Sequence, residues 1–147
     1  MRYRHSQKSA LMLSFGVICA VAALLGAFVE NLGANRWWWI GVGAFLAVVM
    51  LVASQLTVTV DNESVTASFR WGWPRRRVDV VDITEVTTVT NSWWHGWGIR
   101  KVSRGWMYNV AGYDAIQLEL RSGHVFRIGT DDPDALAAVV EAARQLN

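Results

Sequence analysis

Two long apolar spans lie near the start of this chain. The first span runs from Leu11 to Val29 and the second from Trp37 to Ala53, with a short polar joint, Glu30 to Arg36, between them. Neither span contains Asp, Glu, Lys, Arg or His. A helix needs roughly 20 apolar residues to cross a hydrocarbon layer of about 30 Å, so the pattern predicts a hairpin of two membrane-spanning helices.

The charges beside the spans predict the orientation of this hairpin. Arg2, Arg4 and Lys8 precede the first span, whereas the joint carries Arg36 beside Glu30. Lys and Arg close to a span tend to remain in the cytoplasm. More arginines follow the second span, so we expect a cell-membrane protein with two spans and both termini in the cytoplasm. A secretory leader would also place an apolar run after a basic arm, but here a second span follows almost at once.

Small residues recur one helical turn apart in both spans. The pairs are Gly16 with Ala20, Ala22 with Gly26, and Gly43 with Ala47. Such spacing lets two helix backbones approach closely. It is typical of a dimerisation face, but packing of the two spans against each other is the favoured interpretation, and a homo-oligomer stays open.

The rest of the chain reads as one β-rich domain that ends in a helix. Alternating apolar and polar residues predict strands at Leu56–Val60, Val65–Phe69, Arg76–Val80, Val86–Thr90, Ala115–Leu120 and Val125–Ile128. Asp131 and Asp132 are suited to cap a helix whose first turn holds Pro133 and Asp134. We therefore assign residues 1–55 to a cytoplasmic arm and the membrane hairpin, and 56–147 to a cytoplasmic domain.

Three segments of this domain resemble a known family. They are GWGIR at 96–100, GWMYNVAG at 105–112 and FRIGTDDP at 126–133. Together with the order of two spans, β domain and final helix, they resemble the bacterial pleckstrin-homology-like (PH-like) domains of small membrane proteins. The resemblance implies a bent β-sandwich or open barrel of about seven strands, capped by the C-terminal helix. It implies no specific activity.

Two groups of residues are candidates for an interaction surface. The first is the run Arg75, Arg76 and Arg77, which could contact anionic headgroups or simply lie in solvent at a strand end. The second is the segment from Trp93 to Trp106.

Tryptophans and cations alternate in this second segment, which contains Trp93, Trp94, Trp97, Arg100, Lys101, Arg104 and Trp106. Because Trp and Arg are common interface anchors, the segment could dock on a protein or enter the headgroup layer. Alternatively, Trp97 and Trp106 fill the core, and that interpretation is favoured for these two residues.

Several chemistries are not indicated by the sequence. His5, His95 and His124 lack the spacing of a zinc site, and Lys101 stands where a dinucleotide-binding motif needs glycine. The net charge of +2 resides mainly beside the spans, so no nucleic-acid surface is expected. We expect no cofactor and no catalytic activity.

Two functions therefore remain. The favoured one is a membrane protein whose cytoplasmic domain is a protein-interaction or scaffolding module. The alternative is a lipid-sensing module that uses Arg75 to Arg77 together with the segment from Trp93 to Trp106. A protein-binding module should expose an apolar patch or a free strand edge, whereas a lipid sensor should turn both basic groups toward the bilayer.

Overall fold

A computed structural model describes residues 3–28, 36–92 and 96–147 of the chain. Its elements are, in chain order, β1 (Tyr3–Lys8), α1 (Ala10–Ala27), α2 (Arg36–Ala53), β2 (Gln55–Val60), β3 (Ser64–Phe69), β4 (Arg75–Asp79), β5 (Ile83–Thr90), β6 (Gly98–Val102), β7 (Gly105–Asn109), β8 (Asp114–Leu120), β9 (Val125–Gly129) and α3 (Pro133–Gln145). They form two compact units: one contains residues 9–54, and the other contains residues 1–8 and 55–147.

The first unit is the helix pair. Each helix has 18 residues and is long and apolar enough to cross a membrane. At 1.5 Å per residue such a helix is about 27 Å long, close to the thickness of a hydrocarbon layer. Gly16 is the buried residue of α1, and α2 has none, so their apolar side chains are largely exposed. A core helix of a water-soluble protein would instead bury its apolar side chains.

The two helices pack closely at glycines. A Cβ placed on Gly43 would collide with the Cβ of Ala23 and would lie 3.2 Å from the carbonyl oxygen of Cys19. On the other side of the contact, a Cβ on Gly16 would lie 3.3 Å from the Cβ of Met50. Two of the small residues singled out in the sequence are therefore used in packing α1 against α2.

A backbone hydrogen bond joins the start of α1 to the end of α2. The N–H of Ser9 donates to the carbonyl oxygen of Ser54 at 2.7 Å. The hydroxyl of Ser9 also caps α1 by accepting from the N–H of Met12. The chain thus enters α1 and leaves α2 at neighbouring points.

The second unit contains a strand that the sequence analysis did not anticipate. Tyr3–Lys8, grouped there with the hairpin as an arm, forms β1 and pairs antiparallel with β2 from Tyr3 opposite Val60 to Lys8 opposite Gln55. The first sheet has the order β1-β2-β3-β4. The helix pair is therefore inserted between two adjacent strands of one sheet.

The second sheet has five strands in the order β5-β8-β9-β7-β6. Within it β8 and β9 form the antiparallel hairpin expected from the sequence, with Ile116 opposite Ile128. The segment 91–112, for which no strand was predicted, supplies β6 and β7. Strand β7 lies parallel to β9, an arrangement that alternation along the chain does not reveal.

The core lies between the two sheets and under α3. Tyr108 connects them: its ring centroid is 5.4 Å from that of Phe69 and 5.3 Å from that of Phe126. Helix α3 begins as predicted, because the carboxylate of Asp132 accepts from the N–H of Ala135 and Pro133 lies in its first turn. Its buried residues are Leu136, Val140 and Ala143. The expected layout of two apolar helices, a β-rich domain and a C-terminal helix is thus present, but the described residues form nine strands in two sheets where about seven strands were expected.

Candidate interaction surface

The three arginines at 75–77 do not form one cluster. Alternation along β4 sends Arg76 to the inner face, where its guanidinium carbon lies 5.2 Å from the ring centroid of Phe126. Arg75 and Arg77 are exposed on the opposite face, and the Nε of Arg77 is 3.4 Å from the carboxylate of Asp79. Arg76 therefore covers the core by a cation–π contact, and only its two neighbours face solvent.

The cations of the second candidate segment lie on the β6–β7 hairpin. Arg100 and Lys101 are exposed on β6, and the Nε of Arg100 donates to the carbonyl oxygen of Trp97 at 3.4 Å. Arg104 lies in the turn between the strands and its Nη2 is 3.0 Å from the Oε1 of Glu119. Each of the three cations thus has a separate environment along the hairpin.

The tryptophans of this segment have different environments. Trp106 is 43% exposed, so the interpretation that it fills the core is wrong. Trp97 is half-buried. Trp93 and Trp94, the pair predicted at an interaction surface, lie outside the described residues.

An apolar patch remains on the β6–β7 hairpin. Ile99 is 39% exposed, and the register places Ile99 opposite Tyr108 and Lys101 opposite Trp106. Residues opposite each other or two apart share a face, so these side chains continue the core face. Tyr108 is buried at 8% exposure, whereas its neighbours toward the edge are open to solvent. We refer to Ile99, Lys101 and Trp106 as the hairpin patch.

The hairpin patch lies beside a free sheet edge. Strand β6 is the last strand in the order of its sheet and pairs there with β7 alone, as far as the described residues extend. The backbone N–H and C=O groups of such an edge can pair with an added strand. Patch and edge together provide an apolar contact area next to backbone hydrogen-bonding groups.

A second exposed aromatic site was missed by the sequence analysis. The turn between β3 and β4 carries Trp71 and Trp73, which are 64% and 74% exposed. It is closed by hydrogen bonds from the N–H of Gly72 to the carbonyl oxygen of Phe69 and from the N–H of Phe69 to that of Pro74. Its signal was the sequence RWGWPR, in which two tryptophans fall outside any strand alternation. We refer to residues 70–75 as the aromatic turn.

A polar cluster lies around Arg127 on β9. Its Nη1 donates to Asn91 at 2.8 Å and its Nη2 to Gln117 at 2.7 Å. Burial among these neutral amides lowers the pKa of Arg127. Nearby, Asn109 donates to the carbonyl oxygen of Gly112. Arg127 thus links β9 to β8 and to the residue after β5, and Asn109 links β7 to the loop before β8; both roles are structural.

His5 and His124, the two histidines among the described residues, are also in structural contacts, whereas His95 lies outside those residues. Nε2 of His5 is 2.5 Å from the carboxylate of Asp131, and Nδ1 of His124 is 3.2 Å from the carbonyl oxygen of Arg104. Tyr3 lies near the carboxylates of Asp131 and Asp132, which precede α3. Burial, and then the charges of Asp132 and Asp131, raise the pKa of Tyr3. Across residues 3–28, 36–92 and 96–147 no group of three His, Cys, Asp or Glu could hold a metal ion.

No protein-family model matches this chain, and no curated protein matches it at a significant level.

Proposed function

We propose that this protein is anchored in the cell membrane by α1 and α2, with both termini and the β-rich domain in the cytoplasm. The exposed apolar surfaces of the two helices support the membrane location. The pairing of β1 with β2 supports a common side for the N-terminus and the domain, because the two strands that flank the helix pair belong to one sheet. The excess of cations before α1 supports the cytoplasmic side.

The domain is, in this proposal, a PH-like module. Two facing sheets and a C-terminal helix whose apolar residues are buried agree with the layout that the family resemblance implies. The inserted helix pair would hold such a module directly at the membrane.

The proposed role of the module is noncatalytic binding of a protein partner through the hairpin patch. The observation that carries this proposal is the exposure of Trp106 and Ile99 beside the free edge of β6. Buried aromatic residues dominate the binding energy of protein interfaces, and a partially exposed tryptophan next to a free edge is suited to that role. Lys101 beside Trp106 adds a charge that favours an acidic partner.

The alternative of a lipid sensor built on Arg75 to Arg77 has less support. Arg76 is engaged with Phe126 and Arg77 with Asp79, so the run does not present three charges to one surface. The hairpin patch fits the protein-binding criterion better.

Site-specific photo-crosslinking of the full chain in native membranes tests the proposed role. A photoreactive amino acid at Ile99 should form a discrete protein adduct, and the adduct should be lost when Trp106→Ala is added. A matched control carries the same group at Val81, which is 54% exposed but lies on the short turn before β5. Adducts to lipid alone, or equal adducts at both positions, would contradict the proposal.

A further inference from the structure

The aromatic turn lies at the end of its sheet from which the chain passes to the helices. Strand β3 ends at Phe69, which pairs with Leu56 near the start of β2. Strand β2 begins at Gln55, which pairs with Lys8 at the end of β1. The turn therefore leaves the sheet at the same end as both connections to the helix pair. Neighbouring strands are about 5 Å apart, so the turn begins only one or two strand spacings from these connections.

The connections themselves are very short. Ser9 alone separates Lys8 from Ala10, and Ser54 alone separates Ala53 from Gln55. One residue of chain spans at most about 3.5 Å. This end of the sheet is consequently tethered to the helices, whereas the β2–β3 turn with Glu63 marks the opposite end.

The composition of the turn matches the headgroup layer of a bilayer. Trp71 and Trp73 are exposed despite their large apolar rings. Tryptophan prefers the membrane–water interface because its ring is apolar and its indole N–H can donate a hydrogen bond. Arg70 and Arg75 flank the pair, and the six residues 70–75 contain no acidic side chain.

We infer that the aromatic turn inserts into the headgroup layer of the membrane that holds α1 and α2, with anionic lipid headgroups as its ligands. This inference rests on the membrane anchoring in the proposed function but not on the partner of the hairpin patch. The turn is a third attachment point of the domain, next to the two covalent connections. It fixes which surfaces of the domain face away from the bilayer.

Fluorescence quenching of the full chain in lipid nanodiscs tests the inference. Cys19→Ala removes the native thiol, and an environment-sensitive fluorophore is attached to one new cysteine at a time: Trp73→Cys in the turn or Glu63→Cys at the opposite sheet end. In discs containing phosphatidylglycerol and headgroup-labelled quencher lipids, the label at 73 should be strongly quenched and the label at 63 should not. Equal quenching at both positions would overturn the inference.

Charge variants test the lipid class. In the anionic discs, Arg75→Gln should shift the docking equilibrium of the label at 73 about fivefold toward the free state, as expected for one cation near a negative surface. The matched control is Arg121→Gln, which removes an exposed cation from the turn after β8. The backbone N–H of residue 121 donates to the carbonyl oxygen of Asp82, and the substitution leaves this bond in place. A shift of equal size in both variants, or in discs of neutral phosphatidylcholine, would contradict recognition of anionic headgroups.

A third label separates failure of this inference from failure of the membrane anchoring. Phe45→Cys in α2, which is 67% exposed, should be quenched by lipids labelled in the acyl chain. Quenching at 45 without quenching at 73 overturns the inference alone, while absence of both removes the anchoring as well. Self-quenching between labels at 73 in discs that hold two copies, without lipid quenching, would assign the turn to a second copy and also overturn the inference.

Discussion

Replacing Gly43 by alanine should loosen the helix pair, because the added Cβ has no room. It would collide with the Cβ of Ala23 and would lie 3.4 Å from the Cα of the same residue. Overpacking of a close contact costs about 1–3 kcal/mol. The free energy of helix separation should fall by that amount.

Gly41 provides a matched control in the same helix. A Cβ on Gly41 meets no atom within 4 Å in the described structure. Alanine is the better helix former by about 1 kcal/mol, so Gly41→Ala should be neutral or stabilising. Gly43→Ala gains the same helix propensity, so that effect cancels between the two variants, and we expect them to differ by the overpacking cost alone, about 1–3 kcal/mol.

Energy transfer between dyes on the two helices measures this difference. The dyes are attached to Leu25→Cys and Trp38→Cys in a Cys19→Ala background, and the full chain in mixed micelles is titrated with sodium dodecyl sulfate. The midpoint of separation should fall for Gly43→Ala and not for Gly41→Ala. Equal midpoints would refute the reasoning, and a change confined to the dimer fraction would assign Gly43 to contacts between copies.

Two further predictions concern the β-rich domain. Phe126→Ala should lower the free energy of unfolding by about 3–5 kcal/mol, because the ring is fully buried. A urea titration of the full chain in micelles measures this change. The control Val81→Ala, at an exposed position, should change the free energy of unfolding by less than about 0.5 kcal/mol. Tyr3→Phe should reduce the loss of stability at alkaline pH. Burial, and then the charges of Asp132 and Asp131, raise the pKa of Tyr3 above 10.0 in the folded protein. The protonated phenol therefore contributes its full stabilisation below pH 10.0, and this stabilisation is lost as the pH rises through the pKa of the folded state. Urea midpoints of the two proteins that decline in parallel from about pH 9 upward would contradict this assignment.

The sequence predicted those elements whose pattern has a local cause. The two helices follow from unbroken apolar composition, and β2, β3, β8 and β9 follow from alternation with a turn between each pair. The start of α3 follows from Asp132 and Pro133, which act on the first turn of the same helix. In each case the residues that determine the element lie within it or directly beside it.

Strand β1 could not be recognised in this way because its inward-facing residues are polar or amphipathic. His5 contacts Asp131 in the loop before α3, and Gln7 donates to the carbonyl oxygen of Ala111 in the loop before β8. The partner strand of β1 lies beyond both helices in the sequence. Only the tertiary pairing identifies Tyr3–Lys8 as part of the domain.

Which candidate residues are exposed also depends on tertiary structure, so the sequence indicated some of them and not others. The segment around Arg100 and Lys101 is exposed, but strand geometry divides Arg75, Arg76 and Arg77 between two faces. The 43% exposure of Trp106 depends on tertiary packing, which no local pattern specifies. The position of the aromatic turn beside the connections to the helices follows from the register of β1, β2 and β3, which the sequence alone does not give.

Because the helix pair is inserted between the paired strands β1 and β2, β1 and α3 should lie on the same side of the membrane, and cysteine accessibility in intact cells measures this. With Cys19 replaced by alanine, single cysteines are placed at Arg4 in β1, at Asp134 in α3 and at Asn31 in the joint. A membrane-impermeant maleimide should label Asn31→Cys in intact cells, and should label Arg4→Cys and Asp134→Cys only after the membrane is opened. Labelling of Arg4→Cys and Asp134→Cys from opposite sides would contradict the pairing of β1 with the domain, and labelling of all three from one side would contradict two membrane spans.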